Sequence, residues 1–203
     1  MAISAALNPA SKNLTVSGSS DYPVEVSTDV LTGLPLGGSF TGNAKDMLHV
    51  AGPSTQKLLG TIPNPGVPYL IDDEIALKDG SDLTIAAGTE FVFAYGFEVG
   101  WNYGKARLTA VGTATAPIIF RGQLEQPGSW TGLSITSSAA NDTRFDYVQV
   151  EHAGLSLHQP IAVTNSSFSG SPKFGIQKLA DDSRDYRTSN TFSGNVLGDI
   201  GDL

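Results

Sequence analysis

One phrase is written twice in this chain, and it limits what the chain can fold into. LTIAAGTEFVF (Leu83 to Phe93) is followed by RLTAVGTATAPIIF (Arg107 to Phe120), so Leu83-Thr84 and Leu108-Thr109 lie 25 residues apart and Gly88-Thr89 and Gly112-Thr113 lie 24 apart. A phrase that returns at this interval is one structural unit laid down again. From Pro68 onward short apolar runs keep arriving: Ile75 to Leu77, Leu83 to Ile85, Phe91 to Phe93, Phe97 to Val99, Leu108 to Ala110, Ile118 to Phe120, Leu133 to Ile135, Phe145 to Val150 and Ile161 to Val163. A three-residue strand cannot bury a face alone. Stacked about 4.8 Å above its predecessor, it pairs its backbone and piles like side chains into interior ladders.

Grouped in threes, the runs form turns of a coil. The spacing pairs Ile75 with Phe97, stacks Leu83, Leu108 and Leu133 in one column, and stacks Phe91, Ile118, Phe145 and Phe168 in another. Alternation then places Leu83 and Ile85 inside and Thr84 outside. Composition agrees: 23 Gly, 11 Pro and a charged fraction of 16% suit many short strands with turns, and leave little room for helix. The 203 residues read as a single all-β domain, with an irregular N-terminal part or cap over 1–67 and regular coils over 68–195. Between these parts Pro53, Pro63, Pro65 and Pro68 remove backbone donors, so the stretch cannot lie centrally in a sheet and reads either as a long surface loop or as the boundary between the N-terminal piece and the regular repeat. Ser39-Phe-Thr-Gly-Asn43, Thr191-Phe-Ser-Gly-Asn195 and Ser167-Phe-Ser-Gly170 are near copies of one phrase, so both ends belong to the same repeating architecture.

LTIAAGTEFVF, LTAVGT...APIIF, SWTGLSI (Ser129 to Ile135), DYVQVEHAG (Asp146 to Gly154) and VTNSSFSGSPKFGI (Val163 to Ile176) together resemble bacterial right-handed parallel β-helix repeat proteins of the pectate-lyase-like superfamily. The resemblance covers about Pro68 to Asn195 and implies a right-handed parallel β-helix, a solenoid of short strands. It also implies a secreted or cell-surface location in a bacterium. It does not choose a function, because that superfamily holds polysaccharide lyases, glycoside hydrolases, adhesins and phage spikes.

Charge and motifs narrow the choice. Twelve basic against 20 acidic residues, a formal charge of −8 with no Lys/Arg cluster, give nucleic acid and anionic lipid no electrostatic hold. No run of about 18 apolar residues suggests a membrane span. Without Cys there are no disulfides or thiolate-ligated metals. Three histidines without a metal-binding spacing make zinc a poor fit, so no metal or cofactor is expected. Pectin-type hydrolases of the resembling superfamily carry Asn-Thr-Asp and Gly-His-Gly motifs, and this sequence has neither; the doublets Asp72-Asp73 and Asp181-Asp182 stand without those companions. Ala180 to Arg187 (ADDSRDYR) reads as a loop whose charges satisfy each other. Glu151-His152 reads as a corner of a rung, since neighbours along a strand face opposite ways. No catalytic residue is therefore assigned. In AYGFEVGWNYG (Ala94 to Gly104), Trp101 and Tyr103 point the same way if the segment is extended; with Trp130 they offer flat faces suited to sugar rings. The expectation is a non-catalytic extracellular scaffold or glycan-binding and adhesion module, with a polysaccharide or cell-surface glycan as partner and self-association through an open end of the helix. The alternative is a polysaccharide lyase or glycoside hydrolase of the same fold.

Overall fold

The computed structural model describes residues 2–3, 11–35, 37–52, 55–100 and 104–203. The chain is a parallel β-helix whose short strands fall into three sheets. The first sheet holds β1 (Ala2–Ile3), β2 (Val24–Ser27), β3 (Leu48–Ala51), β6 (Tyr69–Ile71), β9 (Glu90–Phe93), β12 (Ile118–Gly122), β15 (Val148–Glu151), β18 (Ser167–Ser169) and β20 (Thr191–Ser193). The second holds β4 (Thr55–Gln56), β7 (Ile75–Leu77), β10 (Gly96–Val99), β13 (Gly132–Ile135), β16 (Leu155–Leu157), β19 (Phe174–Lys178) and β21 (Gly198–Asp202). The third holds β5 (Leu59–Ile62), β8 (Asp82–Ile85), β11 (Arg107–Val111), β14 (Arg144–Asp146) and β17 (Ala162–Thr164). From β3 to β19 successive strands visit the three sheets in turn, and every strand pair is parallel.

The interior is a set of continuous columns. In the first sheet Val24, Leu48, Tyr69, Phe91, Phe120, Val150, Phe168 and Phe192 are register partners from rung to rung. Tyr69 stacks on Phe91 at 5.3 Å and Phe91 on Phe120 at 5.4 Å between ring centroids. In the second sheet Ile75, Phe97, Leu133, Leu155, Ile176 and Ile200 form the column. In the third it is Ile62, Ile85, Ala110, Phe145 and Val163.

Two of the expected pairings hold directly: Ile75 with Phe97, and Leu83 with Leu108. Others are corrected. Leu133 lies in the second sheet against Phe97, not above Leu108, and Phe145 lies in the third sheet against Ala110. Phe91 partners Phe120 rather than Ile118, two residues earlier in the same strand. The cause is the turns. From Tyr69 to Phe91, Phe120, Val150, Phe168 and Phe192 successive steps are 22, 29, 30, 18 and 24 residues, so spacing alone cannot tell which sheet a strand enters.

The proline-rich stretch is likewise part of the coil. β4 and β5 run through it and pair with β7 and β8, and Pro63, Pro65 and Pro68 occupy the corner between β5 and β6, outside the ladder. Pairing continues back to β2, ahead of the boundary at 68 expected from sequence. A 3-10 turn, Thr28–Gly33, buries Val30 and Leu31 and packs against β5, covering that end of the third sheet. At the other end β21 comes from the segment after Asn195 and pairs with β19.

The copied phrase has one job at both ends. Asn43 Oδ1 accepts from Ser19 N at 3.0 Å while its Nδ2 donates to Val16 O at 3.1 Å. Asn195 Oδ1 accepts from Ser171 N at 3.0 Å while its Nδ2 donates to Phe168 O at 3.1 Å. Each asparagine reaches to the neighbouring coil and satisfies a donor and an acceptor that a corner takes out of the ladder.

Candidate functional site

Of the three aromatic residues expected to carry a ligand, Trp101 and Tyr103 lie outside the described residues. Trp130 is described, and it is not a surface platform. Its side chain is in the core at 4% exposure, its ring lies parallel to Phe93 at 5.1 Å, and its Nε1 donates to Glu151 O at 2.7 Å. The reason is Gly122, which follows Ile71 and Phe93 in an inward column of the first sheet. A Cβ on Gly122 would sit 2.8 Å from the indole, so the missing side chain makes the space that Trp130 fills.

The polar candidates are also accounted for. Asp182 is buried and receives Arg184 Nη1 at 3.0 Å and the Tyr186 hydroxyl at 2.8 Å. Burial pushes the Asp182 carboxyl up, but Tyr186 and Arg184 together outweigh it and hold it below its ordinary value. Burial drives the Tyr186 hydroxyl up in turn. Asp181 beside it is exposed. Within the ADDSRDYR run only the side chains of Asp182, Arg184 and Tyr186 satisfy one another, with Tyr186 also reaching Ile161 O at 3.2 Å beside the third sheet, while Arg187 pairs with Asp199 and Asp185 with Thr188 outside the run. Glu151 ends β15, and His152 turns the corner with a left-handed φ of 66°, leaving its buried Nδ1 without a hydrogen-bond partner. Among the described residues no group of three or more His, Asp or Glu side chains is arranged to hold a metal ion, and no helix is long and apolar enough to cross a membrane.

Two features were not visible in the sequence. On the outer face of the second sheet Glu98 is registered against Ala76, two residues along from Glu74. Burial, then the charges of Glu98 and Asp73, raise the Glu74 carboxyl above its ordinary value; burial alone raises that of Glu98. Such a pair favours retention of a proton.

The second feature is an open cleft of about 440 Å³ at the corner between the third and first sheets. Its walls come from equivalent positions on successive rungs: Tyr147 and Gln149, then Asn165 and Ser167, then Ser189 and Thr191. All six are uncharged. Tyr147 and Asn165 both sit at φ 50°. Asparagine tolerates that region, whereas a bulky side chain there is an outlier of the kind that clusters at ligand sites. Both residues are held to the next rung by their backbone: Tyr147 N donates to Thr164 O at 3.2 Å and Asn165 N to Ser189 O at 2.8 Å. Asn165 Nδ2 is fixed on Asp146 Oδ1 at 2.8 Å. The half-buried Tyr147 ring is therefore carried on a rigid corner beside a ladder of hydroxyl and amide groups.

Set beside known proteins, the chain matches no family model, no curated protein and no solved structure.

Proposed function

We propose that this protein is a non-catalytic extracellular scaffold of a bacterial surface that binds a neutral glycan in the cleft beside Tyr147. The observation that carries the reading is the cleft's own make-up: an aromatic ring held in a costly backbone conformation, next to uncharged hydrogen-bonding groups repeated from rung to rung. Those groups recur about 4.8 Å apart along the helix axis, so a linear polymer laid along that axis meets the same chemistry at each step. The formal charge of −8 supports a neutral rather than an acidic ligand. Kinship with the pectate-lyase-like superfamily is part of the proposal and rests on the five resembling phrases; so does a secreted or surface location. Self-association belongs to the same reading, since among the described residues no strand pairs with the outer edges of β20 and β21, and Val196 and Leu197 beside them are exposed.

Titration calorimetry against neutral linear oligosaccharides tests it. Binding should be lost on Tyr147→Ala with the circular dichroism spectrum unchanged, and kept on Asp181→Ala. Affinity untouched by Tyr147→Ala would sink the proposal. The Glu74 and Glu98 pair supports a second reading, a glycoside hydrolase or lyase of this fold, because glycosidic cleavage uses two carboxyls, one of them with a raised proton affinity, and both of these are raised by burial. Release of oligosaccharide from a polymer, abolished by Glu98→Gln, would replace the first reading with this one.

A further inference from the structure

On the outer face of the first sheet, three successive coils near the N-terminal end are joined by side chains in addition to their backbone pairing. Glu25 of β2 is the register partner of His49 of β3, and Asp72 follows β6 on the next coil. His49 Nδ1 lies 3.3 Å from Glu25 Oε2, and Nε2 is in tight contact with Asp72 Oδ2. The ring also stacks on Tyr22 at 4.9 Å; Lys45 Nζ sits 4.3 Å from the Tyr22 ring centre and pairs with Asp21 at 2.9 Å. Asp21 and Tyr22 lead into β2, Lys45 leads into β3, and with Glu25 and Asp72 they are the charged and titratable groups that surround the imidazole.

The geometry has a chemical requirement. Both ring nitrogens face carboxylate oxygens, which only accept, and a neutral imidazole has one N–H to give. Only the protonated ring satisfies both carboxylates; loss of the proton turns one contact into a lone pair against a negative charge. We propose that His49 is a pH-operated latch that reinforces the hold of the outermost long strand, β2, on the coils above it and loosens it when the ring deprotonates. The looser contact, to Glu25, is the one given up, and among the described residues the strand beyond β2 is the two-residue β1. Burial, the largest single influence, lowers the His49 pKa, but the hydrogen bonds and charges of Asp72 and then Glu25 together raise it above the ordinary 6.5. A raised pKa in the folded state means the latch acts fully below about 6.5 and is lost as pH climbs through the higher folded value.

Hydrogen exchange on the whole chain, corrected for intrinsic rates, tests this between about pH 5 and about pH 9, the range across which a histidine changes charge. Protection of Val24–Ser27 relative to Ile118–Gly122 should fall severalfold toward alkaline pH in the natural sequence and stay level in His49→Gln, whose amide does not titrate. A flat profile in the natural sequence, or the same fall in His49→Gln, overturns the latch. Should His49→Gln not fold, Asp72→Asn decides: it keeps the ring but removes a charge, so the midpoint of the fall must move to lower pH, and a midpoint that stays put overturns the proposal.

Discussion

In the middle coils the inward column of the first sheet is aromatic, with Tyr69, Phe91 and Phe120 in ring contact, whereas in the first coils the same column holds Val24 and Leu48. The outer faces differ in the opposite sense. Over β2 and β3 lie Tyr22, Lys45, His49 and their carboxylates, locked together; beside β15 and β18 the outward Gln149 and Ser167 line an open cleft. Large rings bury more area and make more contacts than valine, so these rungs depend less on the outer pair they also carry, Arg121 with Glu90 at 2.7 Å. What the difference teaches is that the outward side chains of β15 and β18 line a cleft, whereas those over β2 and β3 are taken up by one another.

The largest expected effect breaks that contrast from within. Phe91 is fully buried between Tyr69 and Phe120, and Phe91→Ala should cost about 3–5 kcal/mol, because paired rungs above and below cannot collapse into the hole. Urea denaturation reads this, and Val24→Ala in the first coil should cost distinctly less. An equal loss from the two would remove the distinction between the regions.

A smaller effect compares the two ends. Asn195→Ala and Asn43→Ala each strand a backbone donor and acceptor at a corner, which costs about 1–3 kcal/mol where water does not replace them. Asn43 is further held by Asp46, whose carboxylate takes Asn43 N at 2.8 Å and Gly42 N at 3.1 Å and is kept below its ordinary pKa mainly by the Asn43 amide. The loss at Asn43 should therefore be the smaller of the two by thermal denaturation.

The smallest effect is the external fastening itself. Glu25 and Asp72 are about half exposed, so solvent screens their pairing with His49, and His49→Gln should cost only about 0.2–1 kcal/mol near pH 5. The difference from the natural sequence should vanish at alkaline pH, since a raised histidine pKa gives stability that disappears as pH rises. Calorimetric melting at both pH values reads the sign; a cost that grows with pH would contradict it.

How far the sequence shows this molecule depends on what each feature rests on. The coil itself is legible, because Leu83-Thr84 and Leu108-Thr109 repeat a phrase and do stack in register. Leu133 and Phe145 mislead because a turn can change length without disturbing a strand, so equal spacing is no proof of equal place. Trp130 reads as a surface aromatic until register sets Gly122 beneath it; a residue's exposure here is decided by a neighbour one turn away. Tyr147 carries no signal at all in the sequence, since its importance lies in a backbone angle that only the corner imposes. The asparagine phrase was legible as a repeat, while its purpose required both coils to be seen together.

The unequal turns have a kinetic consequence. Every rung of the first sheet from Tyr69 to Phe192 meets its predecessor across 18 to 30 residues of chain, and closing a flexible loop depends only weakly on length over such a range. Each added coil thus meets a similar entropic barrier whatever its turn carries. The first pairing must form on its own, and each later one docks on a finished template, so the chain assembles by nucleation and zippering with contacts only between neighbours.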